Sequence, residues 1–257
     1  MYLDTASVAS MISASSLESL GLSARTAYRN FIVGTTKLTQ FVKPNAFALG
    51  SRTVEPLPFY VLPDDARNAA SGDNVGWLGM DQLWGSDFEL DFARNKLNFY
   101  SPNHCSGGVV YWTEKYSSTP LTRTPLGNLI FPVKVDGKWV EATISFTNPH
   151  TAIRSDAARR LYGFDDAPRT MTLSGIGLSN EDVRVELVSE PAVPASCVLT
   201  AHRTGAYYYQ GDECRGIEPP LYLGLDVVRH LHLYFATKEQ VVYFSDAEAS
   251  KQVDASR

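Results

Sequence analysis

A chain of 257 residues, 44% hydrophobic and 20% charged, can bury one large core or two of roughly 100–130 residues each, as an ordinary globular protein does. A net charge of −5 supplies no basic footprint, which argues against nucleic acid or an anionic membrane surface as a partner. No apolar run approaches the ~20 residues that span a bilayer, and the start has neither the basic nor the apolar region of a signal peptide, so the chain reads as soluble and unexported.

In chain order, Leu3-Asp4-Thr5-Ala6-Ser7 comes first. The apolar pair Met11-Ile12 follows, then a short helical segment over Ser15 to Leu20 that Ser13 is placed to cap. Gly34-Thr35-Thr36 has the composition of a hairpin tip, and Phe47 to Leu49 and Pro58 to Leu62 read as short strands around Gly50-Ser51. Trp77-Leu78-Gly79-Met80-Asp81 precedes a strand pair, Phe88 to Ala93 and Lys96 to Tyr100, joined through Arg94-Asn95. Residues 101 to 125, punctuated by Pro102, Gly107, Gly108, Pro120 and Pro125, read as a connection.

Beyond it, Leu129 to Val135 and Lys138 to Ile144 flank Asp136-Gly137, a two-residue hairpin signal, and deliver the chain to Ser145-Phe146-Thr147-Asn148. A second helical segment, Asp156 to Tyr162, follows Ser155 as its expected cap. Gly175-Ile176-Gly177 precedes a strand over Val183 to Val188, and Tyr207-Tyr208-Tyr209-Gln210 stands in a Gly-bounded loop. Tyr222-Leu223-Gly224-Leu225-Asp226 leads to His232 to Ala236 and Gln240 to Phe244, joined by Thr237-Lys238-Glu239. The polar tail from Ala247 to Arg257 is expected to fray.

The second half repeats the first at low similarity. Asp4/Ser145, Gly21/Gly163, Gly79/Gly224 and Phe92/Phe235 recur in order at separations of 141 to 145 residues. The expected organisation is therefore all-β: an N-terminal lobe over 1–104, a connection over 105–125, a C-terminal lobe over 126–246 and a tail over 247–257. Lobe one has only Met1-Tyr2-Leu3 where lobe two has a whole hairpin. Either the true start lies upstream, carrying any export signal with it, or lobe one has an open sheet edge.

An Asp followed by Thr and a small residue, then two apolar residues and a short helix, resembles the active-site segment of retropepsin-like aspartic proteases. The later Trp77-Leu78-Gly79 and Tyr222-Leu223-Gly224 strengthen the match. Leu78-Gly79-Met80-Asp81 with Glu89-Leu90-Asp91-Phe92-Ala93-Arg94-Asn95-Lys96-Leu97 looks like bacterial members. The resemblance covers nearly the whole chain and implies two tandem pepsin/retropepsin-like (acid protease) β-barrel lobes, each with one short helix, and a cleft between lobes. It implies a hydrolase, an aspartic-type endopeptidase, acting on peptide or protein in extended conformation and needing no cofactor.

In such proteins two carboxylates share one proton across a water. Like charges so close cannot both ionise, so one member takes the water's proton while the other polarises the scissile carbonyl. The resemblance assigns Asp4 to one carboxylate, Thr5 to the hydroxyl that braces the two active loops and Ala6 to the usual glycine. Gly34 and Thr35, and Gly175, Ile176 and Gly177, fall where peptide-covering flaps belong. In the second lobe Ser145-Phe146-Thr147 departs from the pattern: Ser145 cannot ionise near neutral pH, Phe146 removes the reciprocal hydroxyl, and Ala6 adds a methyl to a tight turn.

Other readings stand beside this one. Asp4 is also what an ordinary β-turn would hold. Ser145 as a nucleophile would need a base such as His150, and no Gly-x-Ser-x-Gly elbow surrounds it. His150 could instead stand in for the missing acid. His230 and His232 share a face of a regular strand but lack a third metal ligand. Cys197, His202 and Cys214 lack the close ligand pairs of a structural zinc site, so no metal is expected, while Cys197 and Cys214 could pair in an oxidising compartment. Three functions remain: a peptidase, acting alone or by pairing Asp4 with Asp4 of another chain in a homodimer; a pseudoenzyme that binds an extended peptide by strand addition without cutting it; and a structural or regulatory protein.

Overall fold

The computed structural model describes residues 1–7, 9–33, 36–50, 52–55, 57–64, 74–83, 85–124, 127–166, 168–175, 181–188, 198–201, 207–210 and 219–248. They form two compact units, Met1–Gln82 and Leu83–Arg257.

The first unit contains β1 (Tyr2–Leu3), β2 (Met11–Ser13), β3 (Arg25–Val33), β4 (Thr36–Val42), β5 (Phe47–Leu49), β6 (Arg52–Val54), β7 (Phe59–Leu62) and β8 (Gly76–Leu78). Six of these make one sheet in the order β1-β8-β2-β7-β4-β3, and β5 pairs with β6 apart from it. The pattern of β4 shows why it forms: Leu38 and Val42 turn inward while Lys37, Thr39 and Gln40 stay exposed. Met11, Leu38, Leu62 and Trp77 build the core, with Phe31 stacked on Tyr60 at 5.1 Å against it. Strands β5 and β7, expected to flank one turn, instead take different partners, β6 and β4.

A short helix, α1 (Met80–Leu83), spans the point in the chain where the first unit ends and the second begins. In the second, β9 (Asp87–Asp91), β10 (Lys96–Tyr100) and β11 (Ser117–Pro120) come first, then β12 (Thr122–Arg123), β13 (Leu129–Val135) and β14 (Lys138–Ile144). After β15 (Ala152–Arg154) and α2 (Ser155–Ala157) come β16 (Arg169–Ser174), β17 (Glu181–Val188), β18 (Val198–Ala201), β19 (Tyr207–Gln210) and β20 (Leu221–Leu223). The last elements are α3 (Leu225–Val228), β21 (Leu231–Ala236) and β22 (Val241–Asp246).

Strands β13-β16-β17-β15-β20-β14 neighbour one another in that order, and the β13–β14 hairpin joins the ends, closing the six into a barrel. The hairpin turns at Asp136 and Gly137, both with positive φ (44° and 81°), as the Asp-Gly signal requires. A second sheet, β10-β9-β21-β22-β11, contains both aromatic hairpins read from the repeat, with β9 antiparallel to β21. The hairpin of residues 87–100 thus belongs to the second unit, and the units divide at Gln82/Leu83 rather than near 104. Strand β9 is buried on both faces: Phe88 and Leu90 alternate with Asp87, Glu89 and Asp91, all at or below 6% exposure. Phe88 stacks on Phe235 at 4.4 Å on the apolar face.

Several local expectations are corrected. The first helix is a single 3-10 turn over Ala14–Ser16, and the Ser13 hydroxyl is buried without capping it. Ser155 lies inside α2 and donates to the Val188 carbonyl at 3.2 Å, because Arg154 occupies the cap position. Tyr207–Gln210 is strand β19, paired with β18, not a loop. The connection over 101–125 is packed, with Val109 and Trp112 buried and β11 added to β22. Ala247 is buried and its N–H donates to the His230 carbonyl, so fraying does not start there. No described helix is long and apolar enough to cross a membrane.

Candidate functional site

Asp4 stands at the end of β1, which runs parallel to β8 with Leu3 opposite Leu78. Its N–H donates to the Leu78 carbonyl at 2.9 Å, its own carbonyl accepts the Ser7 N–H, and its carboxylate accepts the Ala6 N–H at 3.2 Å. Asp4 is therefore held in a tight turn, half-buried, with Thr5 beside it fully buried. Ala6 is not at positive φ, so the methyl expected to crowd the turn costs no backbone strain.

The same turn is built in the second unit. β14 runs parallel to β20 with Ile144 opposite Leu223, and the Ser145 N–H donates to the Leu223 carbonyl at 3.0 Å. Ser145 is buried, and its hydroxyl lies 3.2 Å from that of Thr147, two residues on, where Asp4 instead accepts from Ala6. Phe146, where a bracing hydroxyl is expected, is half-buried with its ring 6.0 Å from Phe92. A carboxylate can take a proton from water in the first turn; in the second a hydroxyl can only share hydrogen bonds.

Beneath both turns lies a brace that the sequence reading missed. In the first unit Asp81 accepts the Ser10 hydroxyl (2.6 Å) and N–H (3.0 Å), and the same hydroxyl accepts the Gly79 N–H at 2.9 Å. In the second, Asp226 accepts the Thr151 hydroxyl and N–H, each at 2.9 Å, and that hydroxyl accepts the Gly224 N–H at 3.1 Å. Burial pushes the Asp81 carboxyl up, and the bonds from Ser10 and Gln82 offset only part of that. Each glycine is fixed by close approach. A Cβ on Gly79 would sit 2.7 Å from the Ala9 carbonyl, and one on Gly224 would sit 2.3 Å from the His150 carbonyl carbon. The signal was present: Asp81 and Asp226 lie in the repeated string, and Ser10 and Thr151 share the spacing of Asp4 and Ser145.

The remaining candidates separate. Gly175 ends β16 under the Trp139 indole, while Gly34, Thr35, Ile176 and Gly177 lie outside the described residues. So do Cys197, His202 and Cys214; Cys105 is an exposed free thiol. His150 is exposed, its carbonyl lying beside Gly224. His230 and His232 do not form a pair: His230 is exposed in the turn before β21, and His232 is buried with Nε2 2.6 Å from Glu89. Among the described residues no group of three or more His, Cys, Asp or Glu is arranged to hold a metal ion.

No protein-family model matches the chain, and no curated protein matches it in sequence. Solved structures do resemble it. The aspartic proteinase from Irpex lacteus is 12% identical with a TM-score of 0.52, over 96% of this chain and 90% of that one. Basic 7S globulin from soybean gives 12% identity and a TM-score of 0.49, over 97% and 88%. A retropepsin-like aspartic protease from Rickettsia conorii gives 12% and 0.32, over 51% and 90%. With the Irpex lacteus enzyme matched over nearly its full length, the chain has the all-β fold of the aspartic proteases.

Proposed function

We propose that this protein binds an extended peptide on an aspartic-protease scaffold and, as a single chain, hydrolyses it weakly or not at all. The observation that carries this reading is the serine at 145, in a turn hydrogen-bonded as the Asp4 turn is. A shared-proton mechanism needs two carboxylates, and the second is replaced by a group that neither ionises near neutral pH nor takes the water's proton. Peptide binding makes no such demand. It draws on strand pairing and side-chain pockets, and the flap candidates Gly34, Thr35 and Gly175 to Gly177 follow the paired strands β3 and β16, which supports the reading. The finer resemblance, to bacterial retropepsin-like proteins in tandem, belongs to this proposal.

A second reading keeps catalysis at Asp4, alone or opposite Asp4 of another copy in a homodimer. One experiment separates the two. Cleavage of an unstructured protein is followed from pH 3 to 7.5 with and without pepstatin, beside Asp4→Asn, while peptide affinity is measured on the same preparations. Binding without cleavage supports the proposal; pepstatin-sensitive cleavage abolished by Asp4→Asn overturns it in favour of a working peptidase. Neither binding nor cleavage overturns both and leaves a structural role.

A further inference from the structure

We propose that residues 101–108 form a pH-operated strap, latched onto the acidic face of β9 by the imidazolium of His104 and released as that ring loses a proton. His104 lies between two carboxylates. Its Nε2 meets Asp87 Oδ2, and its Nδ1 is 3.0 Å from Glu239 Oε1 and 3.2 Å from the Cys105 carbonyl. A neutral imidazole has one donor and one acceptor nitrogen, so with acceptors on both sides only the doubly protonated ring satisfies every contact.

Both carboxylates are held by the sheet. Asp87 is fully buried on β9 and accepts the Thr237 N–H at 2.8 Å, the Thr237 hydroxyl at 2.9 Å and the Tyr234 hydroxyl. Glu239, in the β21–β22 turn, accepts the Tyr243 hydroxyl at 2.8 Å and the strap's own Gly107 N–H at 3.3 Å. The ring edge packs on Tyr234 of β21, and Lys238 reaches Asn103 at 2.9 Å. The other titratable groups on this face include Glu89 and Asp91 of β9, His232 of β21, Lys96 and Tyr100 of β10, Arg94 on Asp91 and Tyr111 on Glu89. None of them occupies either His104 nitrogen.

The hinge follows from the change of anchor at residue 109. Val109 and Trp112 are buried with Tyr234, Ala236 and Tyr243. Trp112 lies flat on His232 at 4.0 Å and donates to Ser245 at 2.8 Å, and Tyr111 donates to Glu89. Residues 109–112 are held by packing and by bonds to Glu89 and Ser245 in which His104 takes no part, while 101–108 are held by the charged contacts around His104. Burial pushes the His104 imidazolium down, but the bonds to Asp87 and the Cys105 carbonyl, with the charges of Asp87 and Glu239, outweigh it and raise the ring above its ordinary value. The latch is therefore complete below about pH 6.5 and is lost as pH rises through the raised value. Release uncovers Asp87 while Trp112 stays seated.

Two measurements on the full chain test this. The His104 Cε1 proton, followed by NMR, should titrate with a midpoint above about 6.5; a midpoint at or below that overturns the latch. Hydrogen exchange, corrected for intrinsic rates, should show protection of 101–108 falling about tenfold or more between pH 5.5 and 9, with β21–β22 unchanged. In His104→Gln the protection of 101–108 should be low and flat; a fall that persists there, or an unchanging wild type, overturns the proposal. If that variant fails to fold, Glu239→Gln, which removes one of the two acceptor charges, should move the fall to lower pH, and an unmoved fall is equally fatal.

Discussion

The Asp4 and Ser145 turns share a frame and differ in what the frame presents. Each follows a strand paired in parallel with an apolar-apolar-Gly segment, each donates its first N–H to that segment's carbonyl, and each rests on a hydroxyl–carboxylate brace. Yet one turn offers a carboxylate and the other a hydroxyl satisfied by its neighbour. The brace carboxylate lies two residues past the glycine and binds the hydroxyl of Ser10 or Thr151, so brace and presented side chain can be varied separately. A frame that is built the same way around a carboxylate and around a hydroxyl belongs to the fold; the presented group belongs to the chemistry. That division can be broken by experiment.

The largest effect is expected at the glycines. Gly224→Ala places a methyl 2.3 Å from the His150 carbonyl carbon, and Gly79→Ala places one 2.7 Å from the Ala9 carbonyl, all backbone that cannot step aside. Each should cost about 3 kcal/mol or more in urea denaturation, with Gly224→Ala the worse. If either is tolerated within about 0.5 kcal/mol, close approach is not what fixes that glycine.

Next come the braces. Ser10→Ala and Thr151→Val each strip a donor from a partly buried carboxylate and an acceptor from a glycine N–H, and should cost about 1–3 kcal/mol each at pH 7. In the first unit the cost should also depend on pH. Burial already holds the Asp81 carboxyl above its ordinary range, so its contribution to stability is complete below that range and lost as pH rises through the raised value. Removing the Ser10 bonds, which hold it down, raises it further. Repeating the denaturation at pH 4 should therefore show a smaller penalty for Ser10→Ala than at pH 7. A penalty that grows toward acid would mean Asp81 does not depend on this hydroxyl for its charge.

The fold was legible in the sequence where local chemistry and tertiary pairing agree. Asp136-Gly137 turns the hairpin it announces, and the repeated aromatic strand pairs are β9–β10 and β21–β22. Pairing partners were not legible. Nothing local in Asp87–Asp91 says that it adds to β21, more than 130 residues away, so the boundary between units fell elsewhere. The aromatics of β9 marked it as one strand of a hairpin, but nothing local said that its acidic side, Asp87, Glu89 and Asp91, is buried as well. Asp4 was found from its Asp-Thr-small string, and Ser145 from the repeat that returns 141 residues later. Their braces went unnoticed because Ser10 and Thr151 differ in identity and act only through distant partners. The helix caps failed for the opposite reason: a serine before a helix is common, and tertiary contacts at 13 and 155 outbid it.

The smallest effect separates the presented groups from their frame. Ser145 is buried and its hydroxyl bonds to that of Thr147 within the turn, so Ser145→Ala should cost about 1 kcal/mol. Asp4→Ala removes, among its contacts, the carboxylate's bond from the Ala6 N–H within the turn. What distinguishes them is function. If Ser145 is only what remains where an acid is absent, Ser145→Ala leaves peptide binding and any hydrolysis untouched, while Asp4→Ala removes whatever hydrolysis exists. Ser145→Asp then becomes the informative gain: it places a second carboxylate in a turn whose backbone bonds already match, and should raise acid-side hydrolysis if the dyad was all that was missing. No gain from a folded Ser145→Asp would place the deficit in Phe146, whose ring faces Phe92 where a bracing hydroxyl would stand. A loss of hydrolysis in Ser145→Ala would overturn the comparison itself, since the serine would then be working rather than vestigial.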